Sequence, residues 1–291
     1  MLFLTKHLPV PSNSTAPDSI PVLSSWQERR DWFRKRMGAR LPSTINPEEV
    51  ESHFSAMAPW YWDSVTETDV AWGLETIHGF LRVIASPHLA ATTPFVSWRQ
   101  FQPANCTRVM LCTWDRRGLL AKAAAAFSAV KLNVLQADIF TRSDNIVLDQ
   151  FSITDGNGQN SVNEARMQEM AFLLEGALSD PPRFASVWAC SRHKYLTAPG
   201  RVAPKIGCDN VTSPNSTVIH VEATDRLGLL YDILQAISDQ GLNIRQARVS
   251  TEKQMARDTF HVTDAQGNKL NGNGQLGSLL DALKSALTVT D

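Results

Sequence analysis

The sequence predicts an α+β chain built by internal duplication, and three observations lead to it. The string Thr113-Trp114-Asp115-Arg116-Arg117-Gly118-Leu119-Leu120 returns as Ala223-Thr224-Asp225-Arg226-Leu227-Gly228-Leu229-Leu230, 110 positions later. The same offset joins Asn133 to Asn243, Gln136 to Gln246, Ala137 to Ala247 and Thr141 to Thr251. After a slip of one residue, Asp149 matches Asp258, Phe151 matches Phe260, and Thr154-Asp155 matches Thr263-Asp264. Self-similarity at a fixed period marks two copies of one structural unit. The slip falls between residues 142–145 and 252–255, a polar stretch between apolar runs, where a hairpin turn tolerates an indel.

Each copy has the same order of elements. Residues 108–113 and 218–223 are apolar strands ending at the Asp-Arg turn. A helix follows over 118–130, with Leu120, Ala123, Ala124, Phe127 and Val130 on one face. Its counterpart over 228–240 carries Leu230, Ile233, Leu234 and Ile237. Strand pairs come next, 133–142 with 146–154 and 243–251 with 256–263. A second helix closes each copy, through Met167, Met170, Ala171, Leu174 and Leu178, and through Leu276, Leu279, Leu280, Leu283 and Leu287. Strand, helix, strand, strand, helix is most of a ferredoxin-like βαββαβ unit. Only four residues follow Leu287, too few for a final strand. Residues 94–100 and 204–210 precede the two copies at the same offset, so the fourth strand is expected from upstream, a permuted order. Residues 184–190 compete for that place in the first copy.

Ahead of the duplication the pattern is helical. Residues 1–24 are rich in Pro, Ser and Thr without periodicity and read as a disordered tail. A helix is expected over 25–40, and a second begins at Asn46-Pro47 with Asn46 as N-cap and Pro47 in the first helical position. Residues 59–62 are expected to break it. Thr66 or Thr68, each followed by an acidic residue, then caps a helix carrying Val70, Leu74, Ile77 and Leu81. The division is therefore a tail over 1–24, a helical region over 25–92, a first repeat over 93–180, a linker over 181–201 and a second repeat over 202–291.

Composition excludes several classes. With a net charge of −1 and 20% charged residues, nucleic acid is not expected as the main partner. The basic run Arg29, Arg30, Arg34, Lys35, Arg36 and Arg40 is interrupted by Glu28 and Asp31 and reads as a solvated helix face. Cys106, Cys112, Cys190 and Cys208 contain no Cys-x-x-Cys pair, so reduced thiols fit better than a disulfide framework or a metal site. No apolar run reaches the roughly eighteen residues of a membrane helix, and Lys6 and His7 interrupt the start too early for a signal peptide. A cytoplasmic protein without cofactor is expected.

The repeated turn is where binding would sit. Asp115 and Asp225 end a strand, and Gly118 and Gly228 allow close backbone approach at the start of a helix. The N–H groups and positive end of that helix suit a carboxylate or phosphate. An aspartate there can equally cap its helix, but repetition of the whole string favours binding. Asp149 and Asp258 share strand faces with apolar residues. A buried carboxylate needs donors, and a structural hydrogen-bonding role fits both better than ligand contact. The tryptophans, Trp114 and Trp188 among them, read as core or interface.

Both repeats resemble ACT domains, the small-molecule-sensing modules of amino-acid metabolism. The closer likeness is to the tandem pair at the C-terminus of the bacterial protein-PII uridylyltransferase/uridylyl-removing enzyme family. It is carried by Asp225-Arg226-x-Gly228-Leu229-Leu230, by Ala247-Arg248-Val249-Ser250-Thr251 and by Asp258-Thr259-Phe260-His261-Val262-Thr263-Asp264. Val202-Ala203-Pro204-Lys205-Ile206 and Met57-Ala58-Pro59-Trp60-Tyr61-Trp62 extend it, so that it covers roughly residues 55–291 and is strongest in the repeats. The family's Gly-Ser nucleotidyltransferase element and His-Asp hydrolase cluster are missing, which implies no catalytic residue and no metal ligand. Arg117 and Leu227 replace the turn proline common in such modules, and Gly73 stands where the family carries a histidine.

The resemblance implies a non-catalytic sensor of a free amino acid, with glutamine favoured. The α-carboxylate would meet Gly118, Leu119 and Leu120 or Gly228, Leu229 and Leu230. The ammonium would meet Asp115 or Asp225, and Asn133 or Asn243 would satisfy the remaining polar atoms. Val134, Ile244 and Arg226 complete the candidate set. Two alternatives remain: a regulatory part working with a catalytic or PII-type protein, or a pure interaction module that builds homo-oligomers through its sheets. The second turn, with Thr224 before Asp225 and Leu227 after Arg226, lies closer to the family pattern and is expected to be the better site.

Overall fold

The computed structural model describes residues 6–7, 23, 25–89, 92–156, 161–178, 202–252, 254–270 and 272–288. Nearly all of the expected tail, the 181–201 linker, the competing strand at 184–190, Trp188 and Cys190 lie outside the described residues. The chain forms two compact units. One comprises Met1–Arg99, Val109–Asp115 and Phe140–Gln150, and the other Gln100–Arg108, Arg116–Ile139 and Phe151–Asp291. The units do not coincide with the repeats, because strands β3, Cys106–Trp114, and β5, Ile146–Asp155, of the first repeat contribute to both.

Among the described residues, the first unit holds four helices. Helix α1, Trp26–Met37, is capped by Ser25, whose hydroxyl accepts the Glu28 N–H, and it buries Phe33 and Met37. Helix α2, Pro47–Ala56, begins as expected, with the Asn46 side chain accepting the Glu49 N–H. Residues 59–62 do not simply break it. They open a short helix α3, Pro59–Ser64, because a proline in the first turn forgoes only an N–H that has no helical partner. Helix α4, Glu67–Ile84, is held by a capping box between Thr66 and Asp69. The basic face of α1 is tied down rather than solvated: Arg36 and Arg40 both pair with Glu67, at 2.8 and 2.6 Å.

Strand β1, Lys6–His7, pairs in parallel with β2, Phe95–Phe101. Helix α4 lies against β2, where Trp72 donates its indole N–H to the Ser97 hydroxyl at 2.9 Å. Gly79 permits that approach, since a Cβ there would stand 2.4 Å from the Phe95 ring. Phe33, Phe54, Tyr61, Trp62, Phe80 and Leu148 are buried in one core with these elements.

The second unit contains the antiparallel sheet of the second repeat. Strand β6, Lys205–Asp209, pairs with β7, Thr217–Thr224. Strand β7 pairs with β9, Met255–Thr263, and β9 with β8, Asn243–Glu252. The order β6-β7-β9-β8 puts the upstream strand in the fourth place of a ferredoxin-like sheet, so the permuted order holds. A threonine relay pins it there. Thr217 Oγ1 donates to Asn210 Oδ1 at 2.6 Å and accepts the Leu270 N–H at 2.9 Å. Thr107 does the same for Gln100 and Val162 in the first repeat, at 3.1 and 2.8 Å.

Helix α5, Leu119–Ala129, packs against α6, Glu164–Leu178, and against α7, Leu229–Asp239; α7 in turn packs on α8, Gly272–Leu287. Strand β4, Leu132–Asp138, continues the sheet by pairing antiparallel with β8. Asp138 and Arg248 stand opposite each other and are 110 residues apart. A local twofold relation between the repeats therefore passes through that pair.

Candidate functional site

The turn joining β7 to α7 is fixed from both sides. The Asp225 N–H donates to the Gln254 carbonyl at 2.8 Å, and Leu229 N–H to the Arg226 carbonyl at 3.1 Å. Gly228 closes the turn in the left-handed region, φ +82°, where a side chain would be strained. No side chain caps the helix that follows, so apart from the Leu229 N–H its first-turn donors suit an anionic group. The equivalent turn of the first repeat has the same geometry, with Asp115 N–H on the Asn145 carbonyl at 2.7 Å and Gly118 at φ +75°.

A small, partly open cleft lies at the second turn. Seven of the sequence-predicted residues line it: Asn133, Val134, Asp225, Arg226, Gly228, Leu229 and Leu230. Asn133 and Val134 come from the first repeat, carried in by the β4–β8 pairing, so the cleft is built by both repeats. Asn133 Nδ2 lies 3.4 Å from Asp225 Oδ2. Asp115, Gly118, Leu119, Leu120, Asn243 and Ile244 do not line this cleft. Leu119 and Leu120 are buried in their helix, and Asn243 donates to the Asp264 carbonyl at 3.3 Å.

The electrostatics of the cleft are set by two carboxylates and one guanidinium. Arg226 is committed to Asp232 at 2.6 Å, both side chains buried, and reaches the Ala286 carbonyl at 3.4 Å. Burial lifts the Asp225 carboxyl above its usual range, against hydrogen bonds from Asn133, the Arg226 backbone and Thr251. Asp258 also lines the cleft; burial first, and then the charge of Asp225, push it up to about 7. Its place in an Asp-x-Phe pattern with apolar neighbours was the one signal that could have singled it out, and that signal also fits a structural carboxylate. Of the other lining residues, Thr251 stands out in sequence only as a repeat identity and motif residue, Ala124 only as part of an apolar helix face, and Ser128 carries no signal.

The first repeat differs at the corresponding position. Arg117 donates to the Ser238 carbonyl at the end of α7, at 3.2 and 2.7 Å. In the second repeat Leu227 takes that position, and Ser128, the counterpart of Ser238, lines the cleft. Among the described residues no group of three or more His, Cys, Asp or Glu could hold a metal ion. Nor is any helix among them long and apolar enough to cross a membrane.

Comparison with known proteins agrees with this architecture. Residues 212–289 match the ACR family N-terminal ACT domain. The chain is 32% identical over 195 residues to the bifunctional uridylyltransferase/uridylyl-removing enzyme of Rhodospirillum rubrum, covering 63% of this chain and 20% of that protein. The protein of the same name from Azospirillum brasilense is 27% identical over 248 residues, covering 84% and 26%. That from Pseudomonas fluorescens is 25% identical over 268 residues, covering 90% and 29%. The chain thus spans less than a third of the length of these relatives. The resemblance to ACT domains and to these enzymes stands, and together the matches point to a regulatory role.

Proposed function

We propose that this chain is a non-catalytic regulatory protein that binds a free amino acid in the cleft between Asn133-Val134 and the turn 225–230. The observation that carries the reading is the convergence of those two segments, from different repeats, on one uncapped helix start. The ligand carboxylate would lie at the helix start formed by Gly228, Leu229 and Leu230, on the N–H groups of Gly228 and Leu230, its ammonium beside Asp225, and its remaining polar atoms near Asn133. Glutamine is favoured because the resembled family senses nitrogen status. Ligand binding would favour one arrangement of the chain over another, by as much as its affinity for the two differs.

Asp115, Gly118, Leu119, Leu120, Asn243 and Ile244 belong to this proposal as the mainly structural or differently specific counterparts of the second-turn residues. So does the division into 25–92, 93–180 and 202–291. A second reading is favoured by the partial coverage of the relatives: the chain acts as the regulatory part of a uridylyltransferase, with a catalytic or PII-type protein as partner. Assembly through the sheets and a cytoplasmic location complete the proposal.

The test is a thermal-shift screen of the full chain against the twenty amino acids at millimolar concentration. A ligand at a hundred times its Kd stabilises the native state by about 2.7 kcal/mol. Asp225→Ala and Asn133→Ala should each remove most of the shift, while Asp115→Ala leaves it. A flat response to all twenty refutes the sensing role.

A further inference from the structure

Asp258 faces the cleft from β9, opposite Val221 of β7. It is 3% exposed, and its Oδ1 has no hydrogen-bond partner. The backbone of Ser250 is the one donor that favours its ionised form. A carboxylate this deeply buried is costly unless its lone pairs find donors.

Among the described residues that line the cleft, none offers it a free cation. From the turn come Asp225, a like charge, and Arg226, already held by Asp232 of α7 and the Ala286 carbonyl. Thr251 of β8 and Asn133 of β4 bring neutral groups, and both act on Asp225. Val221 of β7 is apolar. The lone pairs of Asp225 are thus largely satisfied within the chain, whereas Asp258, which lines the same cleft, keeps one buried oxygen without a donor.

We propose that Asp258, not Asp225 alone, receives the ammonium group of the ligand and makes the cleft selective for amines. This rests on the cleft being the ligand site. An ammonium has three donors and no acceptor, so it can bond Asp258 Oδ1 and still reach Asp225. It would supply the positive charge that the chain withholds.

The pairing is linked to protonation. With the Asp258 carboxyl held near 7, the empty cleft carries a proton there for part of the time at neutral pH. The arriving ammonium displaces that proton to solvent. Affinity should rise with pH, by about tenfold between pH 6 and pH 8, as the ionised fraction rises.

Calorimetry on the full chain decides the matter. Each of the twenty L-amino acids is titrated at pH 6, 7 and 8 in phosphate and in Tris, whose ionisation enthalpies differ. Any amino acid that binds is then compared with its 2-deamino analogue. The expected results are a loss of at least about tenfold without the amino group, and close to one proton released per ligand at pH 6 but little at pH 8. Asp258→Asn should keep the Ser250 contact, bind at least about tenfold more weakly and lose the pH dependence. Should that variant not fold, the proton count on the unaltered chain decides alone. A deamino analogue that binds equally well, or binding without proton release, overturns the inference and leaves the cleft reading standing. If none of the twenty binds, the cleft reading falls and this inference falls with it.

Discussion

His53 should make the first unit sensitive to mild acid. Its ring is wholly buried, with neither nitrogen hydrogen-bonded, among the rings of Phe54, Tyr61 and Trp62 at 5.3 to 5.9 Å between centroids. Burial, and then the Arg142 charge, lower its pKa from 6.5 to about 3, with Asp144 opposing. The folded state therefore holds a neutral imidazole, whereas the unfolded chain takes up a proton below pH 6.5. Stability from this group is full above 6.5 and falls as pH drops from 6.5 toward 3, by about 1.4 kcal/mol per pH unit. Between pH 7 and pH 5 the loss is about 2 kcal/mol, less if the core relaxes to admit water. His53→Phe keeps an aromatic ring and removes the titration. Urea unfolding followed by tryptophan fluorescence at pH 7, 6, 5.5 and 5 gives the comparison. The midpoint of the unaltered chain should fall relative to the variant as pH drops. The remaining groups titrate in both chains and cancel in the difference. Parallel pH curves for the two proteins would refute the reasoning.

Two further outcomes are expected. Leu227→Arg combined with Lys131→Gly copies into the second repeat the pair that Arg117 and Gly241 form in the first. The new guanidinium should seat on the Ser128 carbonyl, lower amino-acid affinity by more than about tenfold, and leave melting within a few degrees, since an exposed charged contact adds only about 0–1 kcal/mol. Unchanged affinity would show that position 227 does not control the cleft. Asp232→Ala leaves the buried Arg226 guanidinium without its carboxylate. It should cost about 3–5 kcal/mol in denaturant unfolding, and a loss below about 1 kcal/mol would mean that water replaces the carboxylate there.

How much of this was legible in the sequence depends on whether the information is local. The duplication, the Asn46 and Thr66 caps and the upstream strands were readable, because each rests on residue types at fixed spacing. The relay through Thr107 and Thr217 confirms the upstream strands, and it could have been found, as both threonines and their amide partners Gln100 and Asn210 obey the 110-residue offset. The shared cleft could not. It depends on β4 pairing with β8 across the repeats, and nothing in either strand's alternation names its neighbour. The sequence therefore leaves open which Asn serves which turn, whereas in the structure Asn133 lies beside Asp225 of the other repeat. Asp258 was underweighted for a related reason. A buried carboxylate declares its need for a donor in sequence, but whether that donor is in the chain or in a ligand is decided by tertiary packing.

The twofold relation between the repeats explains why only part of the duplicated string lines the described cleft. Gly241 and Lys131 are equivalent positions, each just beyond a helix end, and both adopt positive φ, +75° and +57°. At Gly241 the missing side chain is needed twice: for the backbone, and for Arg117, whose guanidinium nitrogen would stand 3.3 Å from a Cβ there. At Lys131 a side chain is carried in the left-handed region at a cost of about 1–2 kcal/mol, and position 227 presents no guanidinium to be seated. The two differences go together. An arginine with a glycine seat fastens the first repeat's turn residue to α7, while the leucine at the equivalent position of the second turn, beside Asp225, Asp258 and Asn133, makes no such bond. The residue pair that differs between the repeats thus accompanies a clasp at the first turn and a cleft at the second.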